Sequence, residues 1–224
     1  AVSRDALLNK VLKPAPGFEL HGPATPGREQ IEAFIVERFH TAYQARVSHF
    51  FPWLLSMQCL GTCSAVAGIR PAKQAGLFLE QYLDEPVEDE LSRVLEAAVA
   101  RASIVEIGNL VADKKGSSHL LFLVFTAALH KAGYRWLVFT ATRGLRNNLN
   151  KLGLSLHALG NADQSRLDAQ GQAQWGAYYQ SNPQIMACSL EQGMQIISSR
   201  PLLRRVLRLY RSRINALALK LQDA

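Results

Sequence analysis

The feature that most constrains the fold is the segment 103–154, in which short apolar runs alternate with helical patterns. The runs Ser103–Ala112 and Trp136–Thr142 are rich in β-branched and aromatic residues, which is typical of buried parallel strands. Between them, His119–Gly133 has the length of a crossover helix, and Arg143–Leu154 has the pattern of a second helix. The segment therefore predicts a strand–turn–helix–strand–helix unit whose two strands run parallel.

The turn that precedes the first of these helices has the composition of an anion-binding site. Gly116, Ser117 and Ser118 open the helix, where backbone amides lack intrahelical acceptors and a hydroxyl can cap the end. Lys114 and Lys115 add positive charge to the same turn. A turn of this kind can hold a phosphate, but most short glycine-containing turns bind nothing, so a purely structural turn is the alternative.

A single carboxylate interrupts the first apolar strand. Glu106 lies within Ile104–Ile107, a run that otherwise has the pattern of a fully buried strand. A buried carboxylate is costly unless it is paired or faces a cleft, and burial raises its pKa toward neutrality. We therefore expect Glu106 to act as the general base for an amine. A structural ion pair with Arg70 is the alternative.

Patterns on either side of this unit predict further elements of an α+β fold. Short apolar or alternating runs predict strands, and amphipathic spacing predicts helices. The predicted strands are Phe18–Gly22, Phe50–Met57, Leu60–Ile69, Leu156–Leu159 and Pro183–Cys188, and the predicted helices are Arg28–Ala45, Leu77–Leu83 and Glu88–Ala100. Together they predict a mixed central sheet flanked by helices.

An aromatic cluster near the end of the predicted sheet offers a second candidate group. Trp175, Tyr178 and Tyr179 follow one another closely, and such clusters more often pack than react. A phenol is nevertheless a usable proton donor, so Tyr178 or Tyr179 is a candidate general acid.

The positive charge of the chain is concentrated at its C-terminal end. The 224 residues carry a net charge of +7, of which residues 200–224 contribute +6. From Pro201 onward, apolar residues recur at helical spacing with arginines opposite them, which predicts a basic amphipathic helix. Such a helix can lie on an anionic membrane or dock a partner, and packing on its own domain is the alternative. A nucleic-acid partner is not expected, because Tyr210 is the only aromatic residue among these arginines.

Composition argues against several other classes of protein. The sequence has no run of 18 apolar residues, and its first twelve residues lack the apolar core of a signal peptide. We expect a cytoplasmic protein, with a peripheral position at the inner membrane as an alternative. Cys59, Cys63 and Cys188 do not have the spacing of zinc ligands, so reduced thiols and no metal are expected.

The second half of the central unit resembles the GCN5-related N-acetyltransferase (GNAT) fold. In that family the pyrophosphate of an acyl-CoA sits on the turn after the fourth strand. The next strand and helix often carry a pattern close to Asn-x-x-Ala-x-x-x-Tyr-x-x-x-Gly-Phe, which falls here on Thr142, Leu145, Leu149, Gly153 and Leu154. Leu149 stands where the family has its general-acid tyrosine, so the resemblance implies a different proton donor.

A second resemblance, to the bacterial thermostable hemolysin family, spans roughly Ile31–Met186. It is carried by Gly68–Ala72, Leu77–Asp84, Glu106–Leu110, Phe139–Thr142, Leu145–Asn147 and Trp175–Tyr179. The middle of the chain is also similar to acyl-homoserine lactone synthases, which share the GNAT fold and take acyl chains from acyl carrier protein. Their Trp-Glu-x-Ser-Arg strand resembles Val105–Asn109, in which the Glu is kept and the Ser and Arg are replaced.

The local patterns and these resemblances together imply a set of site residues. The implied catalytic residues are Glu106, Asn109, Tyr178 and Tyr179, and the implied substrate-binding residues are Arg70, Phe78, Thr140, Thr142 and Trp175. The linker and phosphate of the acyl donor are expected at Leu110, Val111, Lys114, Lys115, Gly116, Ser117, Ser118, Arg146 and Asn147. The implied donor is acyl-CoA or the phosphopantetheine of acyl carrier protein.

We therefore expect an N-acyltransferase that moves a fatty acyl group from such a thioester to a small amine or amino acid. Its GNAT-like domain is expected over residues 18–192, after an N-terminal arm (1–17) and before a basic amphipathic helix (193–224). Two alternatives remain: a membrane-active protein that acts through the tail 200–221, and a non-catalytic acyl-binding module, which the leucine at position 149 favours.

Overall fold

A seven-stranded mixed sheet organises the protein. The computed structural model describes residues 15–113 and 115–224. The strands are β1 (Gly17–His21), β2 (Trp53–Cys59), β3 (Thr62–Pro71), β4 (Ile104–Ala112), β5 (Trp136–Ala141), β6 (His157–Asn161) and β7 (Gln184–Ser189), in the order β1-β2-β3-β4-β5-β7-β6. β4 and β5 run parallel and every other neighbouring pair is antiparallel. The predicted mixed sheet of an α+β fold is confirmed.

Helices cover both faces of the sheet. The α-helices are α1 (Arg28–Tyr43), α2 (Val87–Leu95), α3 (Lys115–Lys131), α4 (Arg143–Lys151), α5 (Ala169–Gln174), α6 (Leu190–Ser199), α7 (Pro201–Leu209) and α8 (Arg211–Gln222). Short 3-10 helices occur at Phe78–Tyr82, Arg101–Ser103, Gln164–Arg166 and Tyr178–Ser181. Helix α3 is the predicted crossover between β4 and β5, and Gly133, with a φ of +101°, follows its C-terminal end as expected.

Alternation along the strands divides the core into two layers. Val105 and Ile107 of β4 point to one face, where they pack with Phe125 of α3 and Leu217 of α8. Ile104 points to the opposite face and packs under the 3-10 helix Phe78–Tyr82 and α2. Helix α1 covers the rest of that second face. The side chain of Glu106 shares this second face with Ile104 because strand residues alternate.

Some predicted boundaries differ from those observed. Phe50 and Phe51 belong to the loop before β2 rather than to the strand. Helix α2 ends at Leu95 and not near Ala100, because Glu96 takes a left-handed conformation and its amide closes the helix on the carbonyl of Ser92.

The C-terminal end differs most from expectation. Residues 193–224 do not form one helix, since they are divided among α6, α7 and α8. Arg200 is extended and Pro201 cannot donate a helical hydrogen bond, which separates α6 from α7. The apolar face of α8 is buried in the main core, and the hydroxyl of Tyr134 donates to the carbonyl of Leu221 at 3.1 Å. In the part of the chain that the structure describes, no helix is long and apolar enough to cross a bilayer.

Candidate acyl-transfer site

The two parallel strands separate in the middle of the sheet. The β4–β5 ladder runs from the pair Ile104–Trp136 to the pair Ile107–Phe139 and ends there. Beyond that point β4 continues as a partner of β3 only, and β5 continues as a partner of β7 only. The edge of β4 that faces β5 therefore offers backbone groups to a ligand from Gly108 onward.

A bulge in β4 lies at the start of this opening. Two residues, Asn109 and Leu110, lie opposite one residue of β3, and Asn109 has a φ of +45°. The extra residue reverses the alternation of side chains, so that Leu110 joins the α3 face and Val111 the α1 face. The side chain of Asn109 holds the loop before β2, since it accepts from the Phe51 amide at 2.9 Å and donates to the His49 carbonyl at 3.3 Å.

Two glycines make room for one aromatic ring beside the bulge. A Cβ atom on Gly108 would lie 2.5 Å from the ring of Phe51, and one on Gly68 would lie 3.0 Å from the Phe51 Cβ. The guanidinium of Arg70 lies over the other part of the Phe51 ring, 4.8 Å from its centroid. Phe51 thus packs closely against these three residues and lines the cavity.

A cavity of about 550 Å³ occupies the opening and is lined from both faces of the sheet. Its volume is within the range of small-molecule sites. On the α3 face it continues as an apolar limb, which we define by Leu123, Thr126, Leu149, Leu154, Leu190, Gly193, Ile197 and Leu203. On the other face it continues as an aromatic limb, which we define by Phe39, Tyr43, Phe51, Phe78, Tyr82, Trp175, Tyr178 and Tyr179.

Glu106 borders the cavity between these two limbs. It is only 2 % exposed, and its two carboxylate oxygens accept hydrogen bonds from the amides of Phe78 at 2.7 Å and Leu79 at 3.0 Å. Burial raises the pKa of Glu106 to about 8, against the opposing effects of the Phe78 amide and of the positive charge of Arg70. A carboxyl with that pKa is available as a base near neutral pH.

The alternative ion pair between Glu106 and Arg70 is not formed among the described residues. Arg70 lies directly opposite Glu106 in the β3–β4 ladder, but its Nη1 donates to the Gly76 carbonyl at 3.2 Å. Its buried Nε has no hydrogen-bond partner in the part of the chain that the structure describes. The two side chains therefore hold the same loop, Gly76–Leu79, without pairing with each other.

Four phenols line the aromatic limb, and three of them, Tyr82, Tyr178 and Tyr179, form consecutive ring contacts. The hydroxyls of Tyr82 and Tyr179 share a hydrogen bond, and both rings border the cavity. Burial raises the pKa of Tyr82, and its hydrogen bond with Tyr179 raises it further. Burial also raises the pKa of Tyr178 and of Tyr179, although the bond from Tyr82 lowers the latter in part. All three phenols are thus protonated at neutral pH and can donate a proton.

The first turn of α3 borders the cavity near the bulge. Ser118 and His119 line it, so the positive end of this helix lies beside the opening. Ser117 points elsewhere, since its hydroxyl donates to Asp113 at 2.9 Å. Because α3 begins at Lys115, Gly116 lies within the helix and not in a loop before it. Lys114 lies outside the described residues.

The structure brings most of the predicted site residues together. Those that border the cavity are Glu106, Asn109, Tyr178, Tyr179, Phe78, Trp175, Thr140, Thr142, Leu110 and Ser118. Among the described side chains, those of Arg70, Val111, Ser117, Arg146 and Asn147 do not border it. Arg146 instead joins β5 to the loop before β7, since its Nη1 donates to the carbonyls of Ala141 at 2.8 Å and Asn182 at 3.0 Å. The neighbouring Asn148, rather than Asn147, faces the cavity.

Several lining residues could not be singled out from the sequence. Phe51 and Tyr82 lie in apolar runs that predict only packing, and Gly193 falls in the predicted tail helix. The pair Gly68 and Gly108 was the one signal for Phe51, because glycines inside two adjacent strands indicate a close approach of another group. No group of three or more His, Cys, Asp or Glu side chains is placed to hold a metal ion within the described ranges.

The sequence matches the model of a family described as thermostable hemolysin over residues 21–194. No curated protein matches it. Because residues 21–194 contain the opening and the aromatic limb, the family match includes most of the site.

Solved structures resemble the fold at low sequence identity. The N-acyl amino acid synthase FeeM from uncultured soil microbes matches with a TM-score of 0.54 and 12% identity, covering 85% of this chain and 98% of its own. The acyl-homoserine lactone synthase LasI matches with a TM-score of 0.53 and 12% identity, covering 79% and 90%. The CoA-dependent acyl-homoserine lactone synthase BjaI, with SAM and isopentyl-CoA, matches with a TM-score of 0.51 and 11% identity, covering 90% of each chain. These likenesses confirm the predicted GNAT-like fold.

Proposed function

This chain is a member of the thermostable hemolysin family, and we propose that it is an N-acyltransferase that moves a fatty acyl group from a thioester to an amine. The observation that carries the proposal is the position of Glu106. Its carboxyl has a raised pKa and borders a cavity at the point where β4 and β5 separate. A base at the mouth of an apolar limb suits a reaction between an amine and an acyl chain.

The donor is proposed to lie along the opening between β4 and β5. The free edge of β4 from Gly108 to Val111 can pair with the amide groups of a pantetheine arm. The N-terminal end of α3, beside Ser118 and His119, suits the phosphate of acyl-CoA or of acyl carrier protein. The acyl chain then enters the apolar limb, where leucine and isoleucine side chains exclude water.

The acceptor amine is proposed to enter from the aromatic limb. Aromatic faces attract a cationic ammonium group, and Glu106 is positioned to take its proton. The amine nitrogen then forms a bond to the thioester carbonyl carbon, while a backbone amide of β4 stabilises the oxyanion. As the carbon–sulfur bond breaks, Tyr179 or Tyr178 gives a proton to the leaving thiolate. The nitrogen loses a second proton as the amide forms. One of the two protons that leave the nitrogen through Glu106 restores the tyrosine and the other passes to solvent, so that the products are the amide, the thiol and one released proton.

The test is to incubate the purified protein with long-chain acyl-CoA or acyl carrier protein and a panel of amines and amino acids. We expect thiol release in equal amount to an N-acyl amide identified by mass spectrometry. Binding of the thioester in a calorimetric titration, without release of thiol across the whole panel, would instead support the non-catalytic acyl-binding module. If the thioester neither binds nor releases thiol, both the acyltransferase and the acyl-binding module are contradicted.

A further inference from the structure

Helix α7 (Pro201–Leu209) is exposed along its whole length. None of its residues is buried, and Leu202 and Leu209 are 71 % and 81 % exposed. Its inward side packs on the core through Val206 and Leu207, and Leu203 borders the cavity. Leu202 and Leu209 are seven residues apart, so they lie on one side of the helix, beside the packed side and uncovered in the described part of the protein.

The arginines of α7 form a second exposed side. Arg204, Arg205 and Arg208 are exposed. Their guanidinium groups make no hydrogen bond or ion pair with any residue of the described ranges. Helix α7 therefore presents two leucines and three positively charged arginines side by side to the solvent.

The next helix shares this character only in part. The apolar side chains Ile214, Leu217 and Leu221 of α8 are buried against α3, whereas Leu219 is 66 % exposed. The periodicity of 200–221 as a whole therefore overstates the free apolar surface. On α7, a helix of nine residues, two exposed leucines share one side with no buried residue among the nine.

An exposed leucine of the β2–β3 hairpin lies near the end of α7. Leu60 is 80 % exposed at the tip of this hairpin, where it has a φ of +53°. A leucine with positive φ is uncommon, because such turns favour glycine or asparagine. Phe18, which lies opposite Met57 of β2, packs edge-on against Tyr210 with ring centroids 5.4 Å apart. Tyr210 follows α7 directly, so the strand that leads to the hairpin tip lies beside the end of α7.

We propose that this surface, formed by Leu60, Leu202, Leu209, Arg204, Arg205 and Arg208, binds an anionic lipid bilayer. Arginines attract anionic headgroups, and leucines beside them enter the boundary between headgroups and acyl chains. An acidic protein would use the arginines but would give no role to three isolated leucines on two separate segments. Arg200 and Leu203 also border the apolar limb of the cavity, so a bilayer at α7 lies beside the part of the site that suits an acyl chain.

The experiment is cosedimentation of the full chain with vesicles of phosphatidylcholine alone and of phosphatidylcholine mixed with phosphatidylglycerol. We expect binding to the anionic vesicles only, and weaker binding at high salt because screening reduces the attraction of the arginines. Replacing Leu202→Ser together with Leu209→Ser should weaken binding at least about tenfold, since two leucines no longer leave water. Arg205→Glu together with Arg208→Glu should abolish it.

Matched controls come from exposed residues on the opposite side of the protein. Val36→Ser on α1 and Arg46→Glu in the following loop change the same kinds of side chain, and they should leave vesicle binding unchanged. The proposal is overturned if the wild-type chain does not bind anionic vesicles, or if the α7 variants bind as well as the controls. It is also overturned if the same arginines bind an acidic carrier protein while vesicles are not bound. None of these outcomes depends on whether acyl transfer occurs.

Discussion

Replacing Glu106→Gln removes the proposed base while keeping the size of the side chain. The wild-type carboxyl accepts two backbone hydrogen bonds, from Phe78 and Leu79. The amide can accept only one of them and turns its NH2 group toward the other donor. A buried donor left without an acceptor costs about 1–3 kcal/mol of stability, a loss that is partly offset because the buried ionisable group is gone.

The expected effect on catalysis is larger than the effect on stability. A general base contributes about 10²–10⁴-fold to the rate, which corresponds to about 3–5 kcal/mol of transition-state stabilisation. Because the pKa of Glu106 is about 8, about a tenth of the wild-type protein is ionised at pH 7. The wild-type kcat/KM should therefore rise about tenfold between pH 7 and pH 9, and this rise should be absent in Glu106→Gln.

The assay is thiol release from a long-chain acyl thioester at saturating amine, followed across this pH range. Glu80→Gln is the matched control, because Glu80 holds the same 3-10 helix through the Leu77 amide but does not border the cavity. That control should lose stability, since its ion pair with Arg101 is weakened. It should keep the rise in kcat/KM with pH, moved slightly to lower pH because the Glu80 charge adds a little to the raised pKa of Glu106. If Glu106→Gln remained folded and kept both the wild-type rate and its pH dependence, the assignment of the base would be refuted.

The same geometry predicts the effects of substitutions in each limb and of pH on stability. In Gly193→Val, the new side chain fills part of the apolar limb, since a Cβ atom on residue 193 would lie 3.2 Å from Cγ2 of Thr126. The acyl chain length with the highest kcat/KM should therefore become shorter in a series of donors. An unchanged chain-length preference contradicts the assignment of the apolar limb to the acyl chain. Tyr179→Phe should lower kcat about 10²-fold with little change in KM, whereas Tyr82→Phe should cost less, because it leaves the Tyr179 hydroxyl in place; equal losses argue against Tyr179 as the acid. In denaturant titrations, the folded pKa of Glu106 lies above its ordinary value of 4.5, so the folded chain binds the extra proton. The free energy of unfolding should then fall as pH rises from 4.5 toward 8, by up to about 1.4 kcal/mol per pH unit, and a wild-type slope equal to that of Glu106→Gln contradicts the buried carboxyl.

The central unit and its base were predictable because their signals are local. The strands β4 and β5 are continuous apolar runs, and α3 between them has the length of a crossover. A carboxylate inside such a run is conspicuous in the sequence, so Glu106 could be selected without knowing its surroundings. Its partners could not be selected: the Phe78 and Leu79 amides come from a 3-10 helix 28 and 27 residues away.

The rest of the site depends on contacts between distant segments. Tyr82 and Tyr179 meet across 97 residues, and Asn109 holds the amide of Phe51 across 58 residues. No pattern within either segment indicates these pairs. Arg70 was assigned to substrate from a family resemblance, whereas its observed contacts are the Gly76 carbonyl and the Phe51 ring.

The C-terminal helices show why periodicity alone cannot separate a buried face from an exposed one. Apolar residues continue at helical spacing through Tyr210, although α7 ends at Leu209 and α8 begins at Arg211. The same spacing describes Leu217, which is buried against α3, and Leu203, which is only half-buried and borders the cavity. Only the position of each helix against the sheet decides which leucines are free.

The most direct test of the central claim follows one carbon atom through the reaction. A long-chain acyl thioester labelled with ¹³C at its carbonyl is mixed with the protein and an accepted amine, and the carbonyl signal is observed by NMR. The thioester signal should be replaced by an amide signal only when the amine is present, and Glu106→Gln should slow this change. A signal that remains a thioester, or that becomes a free carboxylate regardless of the amine, would contradict it.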